Sequence, residues 1–136
     1  MHNAQIQLIK DSWSKIMPIA DETGQLFYQR LFEIDPDLKQ LFEGDTDEQI
    51  NKLMSTLNLA ILSLDDINSI ITTVQELGIR HGEYGVLSAH YSTVGEAFIW
   101  TLEKKLGEDF TEELKQAWIE VYTTLSNIMI EASNTH

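Results

Sequence analysis

Apolar residues recur along this chain every three or four positions, a spacing that places their side chains on one face of an α-helix. No segment shows the strict apolar–polar alternation typical of a half-buried strand. The pattern predicts a single all-α domain over residues 1–136, with about six main helices. The longest stripe starts near Asp47 and contains Ile50, Leu53, Met54, Leu57, Ile61 and Leu64.

Prolines, glycines and capping residues set the expected ends of these helices. Asp21 is a candidate N-cap for the second helix, and Thr111 is a candidate N-cap for the sixth. The fourth helix begins near Ile67 and is expected to fade in a stretch that contains three glycines. The expected helices cover about 4–17, 21–35, 47–64, 67 to the glycines at 78–85, 91–106 and 111 onwards, with a short turn at 37–42 and a polar segment at 43–48.

Length and composition are those of a soluble globular domain: 136 residues, of which 43% are hydrophobic and 23% charged. No apolar run approaches the ~20 residues that span a bilayer, and residues 1–13 lack the basic and apolar regions of a signal peptide. A cytoplasmic location is therefore the default expectation. The chain has no cysteine, which excludes disulfides, thiolate metal ligands and covalent c-type haem attachment.

The formal net charge of −13 narrows the classes of partner. Such a surface repels phosphate, so binding to nucleic acid or to an anionic membrane is not expected. The same charge favours solubility and association with a basic protein.

The segment LGIRHGEYGV (77–86) places one of the four histidines at the end of an apolar helical run. His81 lies four residues after Leu77 and seven after Val74, so it extends the apolar stripe. A structural zinc site needs three or four ligands, and no second histidine or cysteine stands at a matching spacing. Two interpretations remain. His81 is either a hydrogen-bonded core residue or the axial ligand of a haem, whose porphyrin supplies the other four nitrogens.

Two further polar groups lie on apolar stripes. Gln49 precedes Leu53 by one turn, and Tyr28 stands among the aromatic and aliphatic residues of the second helix. Each has an ordinary interpretation, since Gln49 can face water at the edge of its helix and Tyr28 can donate to a backbone carbonyl in the core. Alternatively, both side chains point into one pocket opposite His81.

Several segments, in order, resemble the globin family over residues 5–130. The likeness is to single-domain bacterial globins related to the globin part of flavohaemoglobins, and HYSTVGEAF is also similar to neuroglobin. It implies a globin fold, a three-over-three helical sandwich around haem, with a short loop in place of an extra helix between Phe42 and the distal helix. The segments are FYQRLFEIDPDLKQLF (27–42), KLM (52–54), LGIRHGEYGV (77–86), HYSTVGEAF (90–98) and AWIEVY (117–122).

The resemblance also implies roles for individual residues. His81 matches the proximal ligand of a non-covalent haem b, and Phe42 matches the phenylalanine that stacks on the haem. Tyr28, Gln49 and Leu53 match the distal pocket. The other implied haem contacts are Lys52 and Arg80, which would reach the propionates, together with Leu77, Tyr91 and Val94; a solvated Lys52 is the alternative.

One position departs from the flavohaemoglobin pattern, in which a tyrosine and a glutamate flank the proximal histidine. Tyr91 matches the tyrosine, whereas Ser133 stands where the glutamate is expected and Glu131 is two residues away. A carboxylate that would strengthen the donor character of the histidine is therefore missing from that position.

Three functions are compatible with these residues. The first is reversible, high-affinity binding of O2, and also of CO and NO, at ferrous haem, because Tyr28 and Gln49 both donate hydrogen bonds. The second is nitric oxide dioxygenase activity with a separate reductase, since the sequence has no GxGxxG motif. The third is a haem-free globin fold used for interaction or sensing, against which His81, Tyr28, Gln49 and Phe42 argue together.

Overall fold

The computed structural model describes residues 3–42 and 46–135, and in these ranges the chain forms α-helices and short 3-10 helices without a strand. The prediction of an all-α fold is confirmed. The α-helices are α1 (Asn3–Ile16), α2 (Ala20–Ile34), α3 (Thr46–Leu62), α4 (Ile71–Glu83), α5 (Ser88–Leu106) and α6 (Glu112–Thr135). The 3-10 segments are Met17–Ile19, Pro36–Leu41, Leu64–Ser69 and Gly107–Asp109.

Two helix ends match the expected signals. The Thr111 hydroxyl accepts a hydrogen bond from the Leu114 backbone N–H at 3.2 Å, as an N-cap does. Gly107 ends α5 with a φ of +57°, a conformation that favours glycine. The polar segment is shorter than expected, because α3 already begins at Thr46; residues 43–45 of that segment lie outside the described residues.

The expected cap of α2 is wrong. The helix begins at Ala20, and the residue before it, Ile19, makes no side-chain capping bond. Asp21 lies inside the first turn, where its negative charge favours the positive end of the helix dipole.

The expected start of the fourth helix is also wrong. Residues Leu64–Ser69 form a 3-10 segment that is interrupted at Asp66, whose φ of −145° is extended, and α4 begins only at Ile71. At its other end α4 continues through Gly78 and ends at Glu83, within the glycine-containing stretch where its end is expected. Glycine lowers helix stability only by about 1 kcal/mol, and tertiary packing outweighs that cost here.

The packing in question joins α4 to α6, the most extensive helix pair of the described chain. A Cβ atom on Gly78 would collide with the backbone of Met129 in α6, and one on Gly82 would collide with the Ser133 hydroxyl. The glycines therefore allow two helices to approach closely.

We predict that Gly78→Ala lowers the free energy of unfolding by about 1–3 kcal/mol, the usual cost of overpacking. The sign of this stability change distinguishes the two effects. Alanine is the better helix former, so Gly78→Ala would stabilise the protein if α4 were not packed closely on α6 at this position. Urea unfolding measures the change, and Thr73→Ala, on an exposed position of the same helix, is the control. An unfolding midpoint of Gly78→Ala at or above that of the parent would contradict the close approach.

The core lies where α6 packs on α1 and α5 and where α2 packs on α3 and α5. Trp118 is 1% exposed, and its indole N–H donates to the Ser12 hydroxyl at 2.9 Å, which ties α6 to α1. By contrast, α3 and α4 share few direct contacts. In the part of the chain that the structure describes, no helix is long and apolar enough to cross a membrane.

Candidate functional site

His81 is oriented by its own helix. Its Nδ1 lies 2.6 Å from the backbone carbonyl oxygen of Leu77, one turn earlier in α4. Because a carbonyl only accepts, Nδ1 is the donor in this bond, and in a neutral imidazole with this bond the lone pair is on Nε2. Leu77, predicted as a haem contact, thus also fixes the imidazole through its backbone. An imidazole held in this way is the arrangement that metal-bound histidines require.

Tyr91 packs beside His81, with ring centroids 6.3 Å apart and planes tilted by 36°. Its hydroxyl is buried and has no hydrogen-bond partner among the described residues. Burial raises the pKa of Tyr91, so the group remains a neutral phenol.

Tyr122 holds the start of α5 in place, a role that sequence reasoning missed. Its hydroxyl donates to the backbone carbonyl of Tyr91 at 2.5 Å. The ring fits because Gly95 has no side chain; a Cβ there would lie 2.6 Å from a Tyr122 ring carbon. The AWIEVY segment contains Tyr122, but nothing in it indicates that Gly95 lies opposite on another helix.

Ser133 lies against Gly82, the residue after His81 in the chain. Glu131 is exposed on α6. The proximal side therefore has a serine hydroxyl at the place where the resemblance to flavohaemoglobins leads one to expect a carboxylate.

On the other side of the site, a cavity of about 250 Å³ brings three predicted residues together. Tyr28 reaches it from α2, Phe42 from the end of the 3-10 segment, and Gln49 from the first turns of α3. The remaining lining residues are Phe32, Lys39 and Thr46.

Tyr28 forms the inner wall of this cavity. The residue is 6% exposed, and its ring meets that of Phe42 edge-on at 5.3 Å. Desolvation raises its pKa to about 12. Tyr28 lines the cavity and its hydroxyl stays protonated, so it can donate a hydrogen bond at this wall.

Other predicted contacts are less closely tied to the site. Leu53 and Val94 are partly buried against the core. Lys52 is exposed and lies 3.4 Å from Glu48 one turn earlier, an ion pair that matches the solvated alternative. Arg80 is exposed on α4. Contact of these two side chains with haem propionates stays a prediction.

The residues fit a haem. The helices that carry Gln49 and His81 share few direct contacts, so a flat group between them would replace little existing packing. His81 presents Nε2, and Leu53, Leu77 and Val94 offer apolar side chains that are only partly buried. His90 does not compete for this role, because its Nδ1 accepts a hydrogen bond from the Leu87 backbone N–H at 2.9 Å.

Comparison with known proteins identifies the family. The globin family model matches residues 25–129, which include every residue of the site described above except Ser133 and Glu131. The chain belongs to the globin family. Neuroglobin from Tetraodon nigroviridis is 30% identical in an alignment of 133 positions that covers 88% of this chain and 84% of the relative.

Solved structures agree with this family and with the predicted globin fold. One solved structure is an engineered carbene transferase whose parent, from Rhodothermus marinus, is described as a nitric oxide dioxygenase. It superposes with a TM-score of 0.88 and is 27% identical, over 99% of this globin and 94% of that chain. A bacterial globin from Campylobacter jejuni gives a TM-score of 0.87 at 23% identity, over 98% of this globin and 97% of that chain. Members of this family bind haem and, through it, small gas molecules.

Proposed function

We propose that this globin binds dioxygen reversibly and with high affinity, at a non-covalent haem b held by His81. The observation that carries the proposal is the shared cavity of Tyr28, Gln49 and Phe42. Haem, when bound, supplies an iron atom that takes up O2, CO and NO. The residues of the chain decide how strongly each gas is held.

Tyr28 and Gln49 favour dioxygen over carbon monoxide. Dioxygen as a haem ligand carries partial negative charge, and a phenol O–H and an amide N–H both donate hydrogen bonds to such a group. Hydrogen bonds of this kind contribute about 1.5–3 kcal/mol. The less polar carbon monoxide gains less from the same donors.

The aromatic residues strengthen the hydrogen bonds that Tyr28 and Gln49 donate, because they limit the access of water. Phe42 lies between Tyr28 and Phe32, with ring centroids 5.3 and 5.7 Å away respectively. This apolar wall limits access of water to the inner end of the cavity, and hydrogen bonds are electrostatically stronger where water is excluded.

His81 acts on the proximal side, where it would hold the haem iron. Its Nδ1–H donates to the Leu77 carbonyl, so Nε2 is the ring nitrogen left to hold the haem iron. A neutral imidazole supports reversible gas binding, whereas a carboxylate partner would increase its donor character. With Ser133 beside Gly82, binding is favoured over reductive cleavage of dioxygen.

Nitric oxide dioxygenase activity is the second candidate. The Rhodothermus marinus protein, which is 27% identical to this chain, is described as an enzyme of this kind, and the likeness favours the same activity here. The reaction combines NO, O2 and one electron to give nitrate. The electron would come from a separate reductase, and the net charge of −13 favours one with a basic docking surface.

Absorption spectra of the purified protein test the first candidate. We expect a Soret band that shifts on reduction with dithionite and sharpens on addition of CO, followed by a stable oxygenated spectrum in air. Absence of a Soret band after addition of haemin would contradict the proposal. Nitrate formation in step with NO loss, when a reductase and NADH are supplied, would establish the second candidate.

A further inference from the structure

Tyr122 reaches from α6 into the backbone of the first turns of α5. Its hydroxyl donates to the Tyr91 carbonyl at 2.5 Å. In a regular helix that carbonyl accepts from the backbone N–H four residues later, which here belongs to Gly95. The Tyr122 hydroxyl therefore binds a group that takes part in the hydrogen-bond ladder of α5.

The surroundings of the Tyr122 hydroxyl place it at both ends of this backbone link. Burial raises the pKa of Tyr122, the neighbouring Tyr91 adds to the rise, and a hydrogen bond from the Gly95 backbone lowers it. A side chain that inserts into the backbone ladder changes the local course of a helix. The position of this hydroxyl thus helps to set the direction in which α5 begins.

The Tyr122 ring is held by packing on two sides. On one side it fills a recess at Gly95, where a Cβ atom would lie 2.6 Å from a ring carbon. On the other side it lies against Phe98, with ring centroids 6.4 Å apart and planes tilted by 30°. Packing on both faces restricts the ring, so its hydroxyl is aimed at one point of α5.

Tyr91 passes this placement on to His81. The carbonyl that Tyr122 binds and the ring that packs beside His81, at a centroid distance of 6.3 Å, belong to the same residue. The Nδ1 bond of His81 to the Leu77 carbonyl, at 2.6 Å, lets the imidazole rock about that bond. The neighbouring Tyr91 ring limits this motion, so its position affects the orientation of His81.

We propose that Tyr122 is a positioning residue of the proximal side, which sets, through Tyr91, the orientation in which His81 meets the haem iron. The inference rests on the proposed haem function and adds to it a residue on α6 that acts through another side chain. Its consequence is that the strength of the iron–histidine bond depends on a hydrogen bond between α5 and α6.

Tyr122→Phe tests this inference, because phenylalanine keeps the ring in the Gly95 recess and removes only the hydroxyl. In the reduced, ligand-free protein, the iron–histidine stretching band of the resonance Raman spectrum should broaden, since the imidazole then adopts more than one orientation. Haem loss to an excess of a haem-free acceptor protein should be about two- to tenfold faster, as expected for loss of one buried hydrogen bond.

Two further variants separate positioning from loss of stability. Thr101→Val is the matched control, because it removes a buried hydroxyl that donates to the Ala97 carbonyl of the same helix at 2.7 Å. It should leave the iron–histidine band unchanged. Gly95→Ala keeps the Tyr122 hydroxyl but displaces its ring, so it should broaden the band as Tyr122→Phe does and gives an independent test.

Tyr91→Leu shows whether Tyr91 carries the effect. This variant removes the ring beside His81 and keeps the backbone carbonyl that Tyr122 binds. Addition of Tyr122→Phe to Tyr91→Leu should then change neither the band nor the rate of haem loss any further, whereas independent effects would add.

A broadened band in Tyr122→Phe and Gly95→Ala, but not in Thr101→Val, supports the inference if Tyr91→Leu abolishes the effect of Tyr122→Phe. An unchanged band in Tyr122→Phe with normal CO binding would overturn the inference and leave the proposed gas-binding function intact. Equal effects of Tyr122→Phe with and without the Tyr91 ring would show that Tyr122 acts by another route, which also overturns it. A parent protein without CO-reactive haem would overturn both the inference and the proposed function.

Discussion

Replacement of His81 by alanine is expected to raise the rate of haem loss at least about 100-fold, because even outer-shell partners of a metal ligand change metal affinity by about 10–100-fold. His81 is the histidine whose Nδ1 is held by the Leu77 carbonyl, which leaves Nε2 for the haem iron. Haem transfer to an excess of a haem-free acceptor protein, followed in the Soret region, measures the rate. Added imidazole should partly restore retention and the ferrous spectrum of the parent.

His90→Ala is the matched control for this experiment. It removes an imidazole of the same size from the first turn of α5, where it accepts a hydrogen bond from the Leu87 backbone N–H. This variant should keep its haem. If His81→Ala retained haem as well as His90→Ala does, with an unchanged ferrous spectrum, His81 would be a core residue and the proximal assignment would be wrong.

Tyr28→Phe is expected to accelerate dioxygen release about ten- to 100-fold. The estimate follows from loss of a hydrogen bond to a charge-bearing ligand, about 1.5–3 kcal/mol, at about 1.4 kcal/mol per factor of ten. The association rate should change little, since the donor acts after the ligand has arrived. Because burial raises the pKa of Tyr28 to about 12, the hydroxyl stays protonated, and its contribution should be constant between about pH 6 and 9.

Stopped-flow displacement of dioxygen by carbon monoxide measures this release rate. Tyr84→Phe provides the control, because it removes the same hydroxyl from a side chain that is 72% exposed. An unchanged release rate in Tyr28→Phe would mean that the Tyr28 hydroxyl does not reach the ligand. The same measurement on Gln49→Ala separates the contribution of the amide.

Much of the fold could be predicted because its helices carry regular apolar stripes. The order of the six helices, the Gly107 stop and the Thr111 cap all follow from local sequence. The exact end of α4 within 78–85 could not be placed, because glycine is a poor helix former locally and only the approach of Met129 from α6 explains why the helix continues past Gly78. Asp21 was misplaced for a similar reason, since it suits both a cap and a first turn.

The candidate site also contains residues that the sequence indicates and residues that it does not. Tyr28, Gln49 and His81 stand out as polar side chains on apolar stripes, and the resemblance to globins adds their relation to one another. Tyr122 carries no such signal. It acquires its role from another segment, through the Tyr91 carbonyl that accepts its hydrogen bond.

The close contact of α4 with α6 means that the helix of His81 is held more firmly than α3, the helix of Gln49. At Gly78 and Gly82, α4 packs closely against the last turns of α6. A shift of His81 therefore requires α6 to move with α4. The helix that carries Gln49 has no comparable interlock with α4. Adjustment to ligands of different size is therefore expected to occur by movement of α3, while the proximal histidine serves as the fixed reference point.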